Sequence, residues 1–294
     1  MRIAFVAAGL VIALLGGIGI GRLTSDPGGT TAAAPTVTPA PTDHAHAAGT
    51  GAHTHGTTGA AAAGARVGGL EINTNGYALA PVTTAFPVGQ RRDLTFRVTG
   101  PDNRPVTTFA VVHDKPLHLI VVRRDLSGYQ HLHPTMAPDG TWAVPLTLPA
   151  AGVWRAYADF TAVDAAGSQT PLTLGMDLTV SGAYAARPLP APERAARVGG
   201  FSIGYEGTPC PGATQPLLFR VAPGGLERYL GAYGHLVVLR EGDLGYVHVH
   251  PEPELADGAV KFWLAAPSSG RYRMFFDFQV AGQVHTAEFT LVVD

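Results

Sequence analysis

Cysteine is nearly absent from this chain of 294 residues: Cys210 stands alone. One thiol excludes an intrachain disulfide and any multi-thiolate zinc or iron–sulfur site. Charge is also scarce, at 14% of residues, and of the 20 basic side chains only Lys115 and Lys261 are lysine. With a net charge of −2 and no basic stripe, nothing points to a nucleic-acid partner. Four methionines, one of them the initiator, are too few for a methionine-rich copper(I) carrier. Without a Cys-x-His-x-Met pattern a blue-copper centre is excluded as well. Gly-x-Ser-x-Gly, His-Glu-x-x-His and a phosphate-binding glycine loop before a helix are all missing. The chain is therefore not expected to be an enzyme.

What is present begins with an uncharged run from Ile3 to Ile20, in a segment spanning residues 1–21. As a helix it would reach about 27 Å, close to the ~30 Å hydrocarbon layer. It predicts a transmembrane anchor that places the rest of the chain outside the cytoplasm at the cell membrane. Cleavage as a signal segment, giving a secreted protein, is the alternative. Residues 22–65 are rich in Ala, Gly, Thr and Pro and predict a disordered linker, because they have too little apolar surface to offset ordering. Four histidines lie in it, His44, His46, His53 and His55, which are either loose metal-capturing donors or incidental linker residues.

From residue 66 onward the sequence is a tandem repeat. Arg66-Val-Gly-Gly-Leu70 returns as Arg197-Val-Gly-Gly-Phe201, and Leu94–Val98 returns as Leu217–Val221. His118-Leu-Ile-Val-Val122 returns as His235-Leu-Val-Val-Leu239, and Tyr157-Ala-Asp-Phe160 as Phe275-Phe-Asp-Phe278. The copies occupy 66–182 and 197–294, separated by a Pro-rich connector at 183–196. Each consists of short Val-, Leu-, Phe- and Tyr-rich runs broken by Gly, Pro and Asp, such as Trp142–Leu148, Val153–Phe160 and Tyr272–Val280. This predicts an all-β chain: two tandem immunoglobulin-like β-sandwich domains following the helix and linker.

The repeat exposes a histidine pattern. His118 precedes His131 and His133 by 13 and 15 residues; His235 precedes His248 and His250 by the same intervals. Side chains two apart on a strand share a face. A hairpin pairing Val122 with Tyr129 would set Ile120 opposite His131 and bring His118 to the same face; a one-residue slip would turn it away. The equivalent pairing in the second copy sets Leu239 opposite Tyr246. Three neutral imidazoles on one face suit zinc(II) or copper(II), with a fourth donor from Asp159, Asp277, His113, His285 or water. Protonation would then weaken binding below about pH 6.5. The other reading is a hydrogen-bonded core network in which Asp159 and Asp277 fix the ring tautomers.

The stretch His113-Asp-Lys-Pro-Leu-His118, followed by Tyr129-Gln-His-Leu-His-Pro134 and Tyr157-Ala-Asp-Phe160, resembles bacterial exported proteins labelled heavy-metal-binding or secreted. Tyr246-Val-His-Val-His-Pro251 is similar. The resemblance implies an envelope location and metal handling. Together these readings give a membrane-tethered copper or zinc buffer, sensor or delivery module, with two separate sites. The alternative is a structural or adhesive module that presents a surface to an envelope protein partner.

Overall fold

In the computed structural model, residues 67–294 are described, and among them every regular element is a β-strand. The expected anchor, the linker and its four histidines lie outside the described residues. The two copies share the order of their main strands, and the edge strand Ala85–Phe86 occurs in the first copy alone among the described residues. In the first, one sheet runs Asn73–Thr74, Tyr77–Pro81, Arg91–Thr99, Thr141–Thr147, Thr135–Met136. The facing sheet runs Ala85–Phe86, Gln169–Val180, Gly152–Val163, Leu117–Arg123, Gln130–Leu132. Alternating side chains of both sheets, among them Leu94, Phe96, Leu119, Val121, Trp142 and Leu174, fill one core, which makes the copy a β-sandwich.

The second copy pairs Ala195–Val198, Phe201–Glu206, Thr214–Ala222, Val260–Ala265 and Val249–Pro251 in one sheet. Its other sheet is built on Gly270–Val280, flanked by His235–Arg240 with Tyr246–Val247, and by Gln283–Val293. Its own core includes Leu217, Phe219, Phe262, Phe276 and Phe289. The long strands exceed the sequence expectation: Gly152–Val163 runs 12 residues and Gln283–Val293 runs 11. Strand Ala195–Val198 starts inside the expected connector, and Leu189 of that connector packs into an apolar cluster rather than acting as a bare spacer.

That cluster is the face between the copies. Leu117–Arg123 is buried along its whole length. Leu117, Leu119 and Val121 point into their own sandwich core, while Ile120 and Val122 point into the cluster shared with the second copy. There they meet Val237, Leu239, Leu244, Tyr246 and Phe275. The packing is approximately two-fold: Tyr129 stacks on Phe275, with ring centres 4.1 Å apart and planes 6° apart. Its repeat-mate Tyr246 lies 5.6 Å from Tyr157, the repeat-mate of Phe275. Gly68 and Tyr246 exchange backbone hydrogen bonds of 2.8 and 3.0 Å across the same face. Tyr157 donates to the Leu244 carbonyl at 2.6 Å. Gly69 in the repeated Val-Gly-Gly motif has φ +70°, and a Cβ there would lie 2.3 Å from the Tyr157 ring. Glycine is required at that point because both the backbone angle and the approach of the ring exclude a side chain.

Candidate metal centre

Ile120 pairs with His131 in the Leu117–Arg123/Gln130–Leu132 hairpin, and Leu239 pairs with Tyr246 in the second copy. These are the alignments the sequence predicts. In the first copy the consequence follows: one ligand atom each from His118, His131 and His133 lies within 4.8 Å of the others. The ring centres are 5.3 Å apart for His118–His131, 5.0 Å for His118–His133 and 4.9 Å for His131–His133. Three imidazoles on one tetrahedral ion, with Zn–N bonds of about 2.0–2.1 Å, would place their centres about 5 Å apart. The rings already stand at that spacing.

The hydrogen bonds define which nitrogens remain. Nε2 of His118 lies 3.0 Å from the Val112 carbonyl oxygen, to which only an N–H can bond. Its Nδ1 then carries the lone pair and faces Nε2 of His131 at 3.0 Å. Nδ1 of His131 lies 2.9 Å from Oδ2 of Asp277 and donates to it. Burial, with His131 adding to it, pulls the pKa of His118 down to about 4. Burial followed by His131, His118 and Lys115 pulls His133 to about 3. Two ring nitrogens facing one another at 3.0 Å need a cation between them, either a proton or a metal ion. His133 adds a buried Nε2 that has no hydrogen-bond partner. A cavity of about 430 Å³, lined by His133, Phe109, Lys115, Met136 and Trp142 among others, opens beside it.

Asp277 bonds a ring nitrogen, the second of the two roles the sequence offered it, but the ring is not one of its own copy. Although it belongs to the second copy, it orients His131 of the first, and the same Oδ2 accepts the Tyr129 hydroxyl at 2.9 Å. Oδ1 accepts the Thr286 hydroxyl at 2.6 Å. Asp159, its repeat-mate, accepts Thr173 at 2.6 Å and stands opposite His118 in register. Asp159 acts on His118 and His113 through its field, raising the pKa of each against the stronger downward effect of burial.

The second trio is not gathered, so two equal sites do not form. His248 and His250 lie with ring centres 4.6 Å apart, yet among the described residues only the first trio reaches ligand spacing. The hairpin strand in the first copy continues through Leu132. In the second copy it stops at Val247, the equivalent of Gln130, and Val249–Pro251 joins the opposite sheet, where His250 pairs with Trp263. His248 falls at the crossover and is exposed. His235 keeps the local geometry of His118, with Nε2 2.9 Å from the Tyr229 carbonyl. Burial holds its pKa well below the usual value.

His113 lies next to His235, ring centres 5.1 Å apart. It reaches there from a two-residue turn in which His113 and Asp114 have φ of 49° and 59°, closed by Val112–Lys115 backbone bonds. The turn is of the type I′ kind. The same turn in the second copy is Leu230-Gly231, which explains why His113 has no counterpart. His285 is elsewhere, packed against Phe201 and Phe278. The sequence reading missed Asp277 as a cross-copy partner, along with the Val112 carbonyl and Thr286. The only available signal was that Tyr129/Tyr246 and Asp159/Asp277 recur with the histidines.

Two fused β-sandwich repeats with a histidine cluster at their shared face define the class of protein. The chain belongs to the family described as Domain of unknown function (DUF8832), whose model matches residues 72–177 and 196–294. No curated protein matches the sequence. Among solved structures, Salmonella alpha-2-macroglobulin is 13% identical with a TM-score of 0.27, the match covering 78% of this chain and 15% of that one. The Escherichia coli adhesin FdeC is 16% identical with a TM-score of 0.27, covering 76% and 65%. The N-terminal Ig1-2 module of the Drosophila receptor tyrosine phosphatase DLAR is 10% identical with a TM-score of 0.20, covering 74% and 98%. At these scores the sandwich assignment rests on the strand pairing described above. The chain spans less than two thirds of the macroglobulin and of the adhesin.

Proposed function

We propose that this protein binds one divalent transition-metal ion, zinc(II) or copper(II), through His118, His131 and His133. The observation that carries the reading is the 3.0 Å approach of His118 Nδ1 to His131 Nε2, with the opposite nitrogen of each ring already engaged. A second-sphere carboxylate on a metal-binding histidine fixes the tautomer and raises ligand basicity, which is what Asp277 supplies. The protein is then a non-enzymatic metal buffer, sensor or delivery module of the cell envelope. The N-terminal apolar run tethers it to the membrane, and the linker histidines raise the local ion concentration. Metal analysis of the purified protein after zinc or copper loading tests this. One ion per chain is expected, lost on joint His131→Ala and His133→Ala substitution; unchanged metal content in that variant would defeat the assignment.

A second reading is an immunoglobulin-like structural or adhesive module that meets an envelope protein. The ungathered second trio and the His235–Tyr229 bond support it, since that ring is held through Nε2 by a backbone carbonyl. Under it the His131–Asp277 contact is a structural hydrogen bond, and the protein takes up no stoichiometric metal.

A further inference from the structure

The metal reading leaves open why the sequence is duplicated when only one trio assembles. His131 is aligned by a carboxylate that its own repeat does not provide. Asp159 occupies the equivalent place in that repeat, and it bonds to Thr173. Asp277, 2% exposed, takes the Nδ1–H of His131 and the hydroxyl of Tyr129 on one oxygen and Thr286 on the other. Tyr129 in turn stacks on Phe275, two residues before Asp277 on the same strand. The reverse relation is not made, because His248, the repeat-mate of His131, is exposed at the sheet crossover.

We propose that the ion site belongs to both repeats. Asp277 of the second orients His131 of the first, so that loading the trio and closing the face between the repeats are one coupled equilibrium. This rests on the metal reading above and specifies how that site is built and what its occupancy does. Moving the second repeat away would remove the acceptor of His131 and of Tyr129 together, and would leave Asp277 without two of its three donors. Linkage is reciprocal, so an ion that favours the oriented imidazole favours the closed face by the same factor. Asp277 is thus a positioning residue, and the second repeat has become the outer shell of the first repeat's site.

Backbone amide exchange with zinc(II) as the probe tests the coupling in the full chain. The Gly68 and Tyr246 amides, each donating to the other residue's carbonyl across the face, lie in neither the trio nor its hairpin. With zinc at about 100 times its Kd, their exchange through opening of the face is expected to slow at least tenfold, within a ceiling of about 100-fold. Asp277→Asn should retain one zinc per chain with affinity about 10–100-fold weaker. It should also shift the visible ligand-field bands of the cobalt(II)-loaded protein and abolish the zinc-dependent slowing. Thr286→Val, which loosens the carboxylate without touching His131, should weaken zinc binding by a smaller factor in the same direction. Zinc that protects the Gln130–Leu132 hairpin but leaves Gly68 and Tyr246 unchanged in the native protein overturns the coupling while sparing the metal reading. So does wild-type affinity and spectrum in Asp277→Asn. A native protein that takes up no zinc overturns both.

Discussion

Nδ1 of His118 and Nε2 of His131 stand 3.0 Å apart, each on a ring whose other nitrogen is held by a carbonyl or a carboxylate. That relationship distinguishes the two trios. Zinc titration of His248→Ala plus His250→Ala should give wild-type stoichiometry and an affinity within about threefold of wild type, since those rings lie outside the assembled trio. His118→Ala should lower affinity by at least 100-fold, because it removes one of three ligands. Equal losses from both variants would mean that the second trio gathers in solution.

The burial of His118 and His133 sets a pH dependence in the metal-free protein. His118 and His133 have folded pKa values of about 4 and about 3, both pulled down first by burial. In the unfolded chain each titrates near 6.5. The unfolded state therefore binds more protons between those limits, and stability rises with pH across that window. It is fully present above about pH 6.5 and is lost as pH falls toward 4 and 3. His118 alone accounts for on the order of 3 kcal/mol. Urea unfolding with chelator at pH 7, 5.5 and 4 should show this slope, reduced in His118→Asn; identical slopes would contradict it.

Phe275, fully buried, is the anchor of the face between repeats. Phe275→Ala should cost about 3–5 kcal/mol, the usual range for a phenylalanine deleted from a packed interior. It should also speed amide exchange at Tyr246 more than in the outer sheet strand Arg91–Thr99. Uniform destabilisation of both regions would show instead that the two repeats unfold as one unit.

His113 is held at φ 49° in its turn, a conformation that a non-glycine residue adopts at a cost of roughly 1–2 kcal/mol. His113→Gly relieves that cost and is expected to raise stability by up to about 1 kcal/mol, after the entropy glycine adds to the unfolded chain. Zinc affinity should stay within a few-fold of wild type, since His113 is not in the trio. A lower melting temperature would show that the ring's contact with His235 outweighs the backbone strain.

The sequence by itself determined the repeat, the all-β class and the hairpin alignment that places Ile120 beside His131. These follow from local alternation and from a spacing that survives in both copies, and local pattern is sufficient for them because a strand's two faces are set by its own period. It did not determine that His118 and His131 would face the other repeat, since an apolar strand buried on both sides does not reveal what covers each side. Nor did it show that the hairpin strand ends two positions earlier in the second copy, which sends His250 to the opposite sheet. Asp277 reaches His131 over 146 residues of chain. Only the packing of one sandwich on the other brings them together, because that contact arises from the burial of Ile120, Val122, Tyr129 and Phe275 in a common cluster, a property of two surfaces that neither repeat's sequence carries alone.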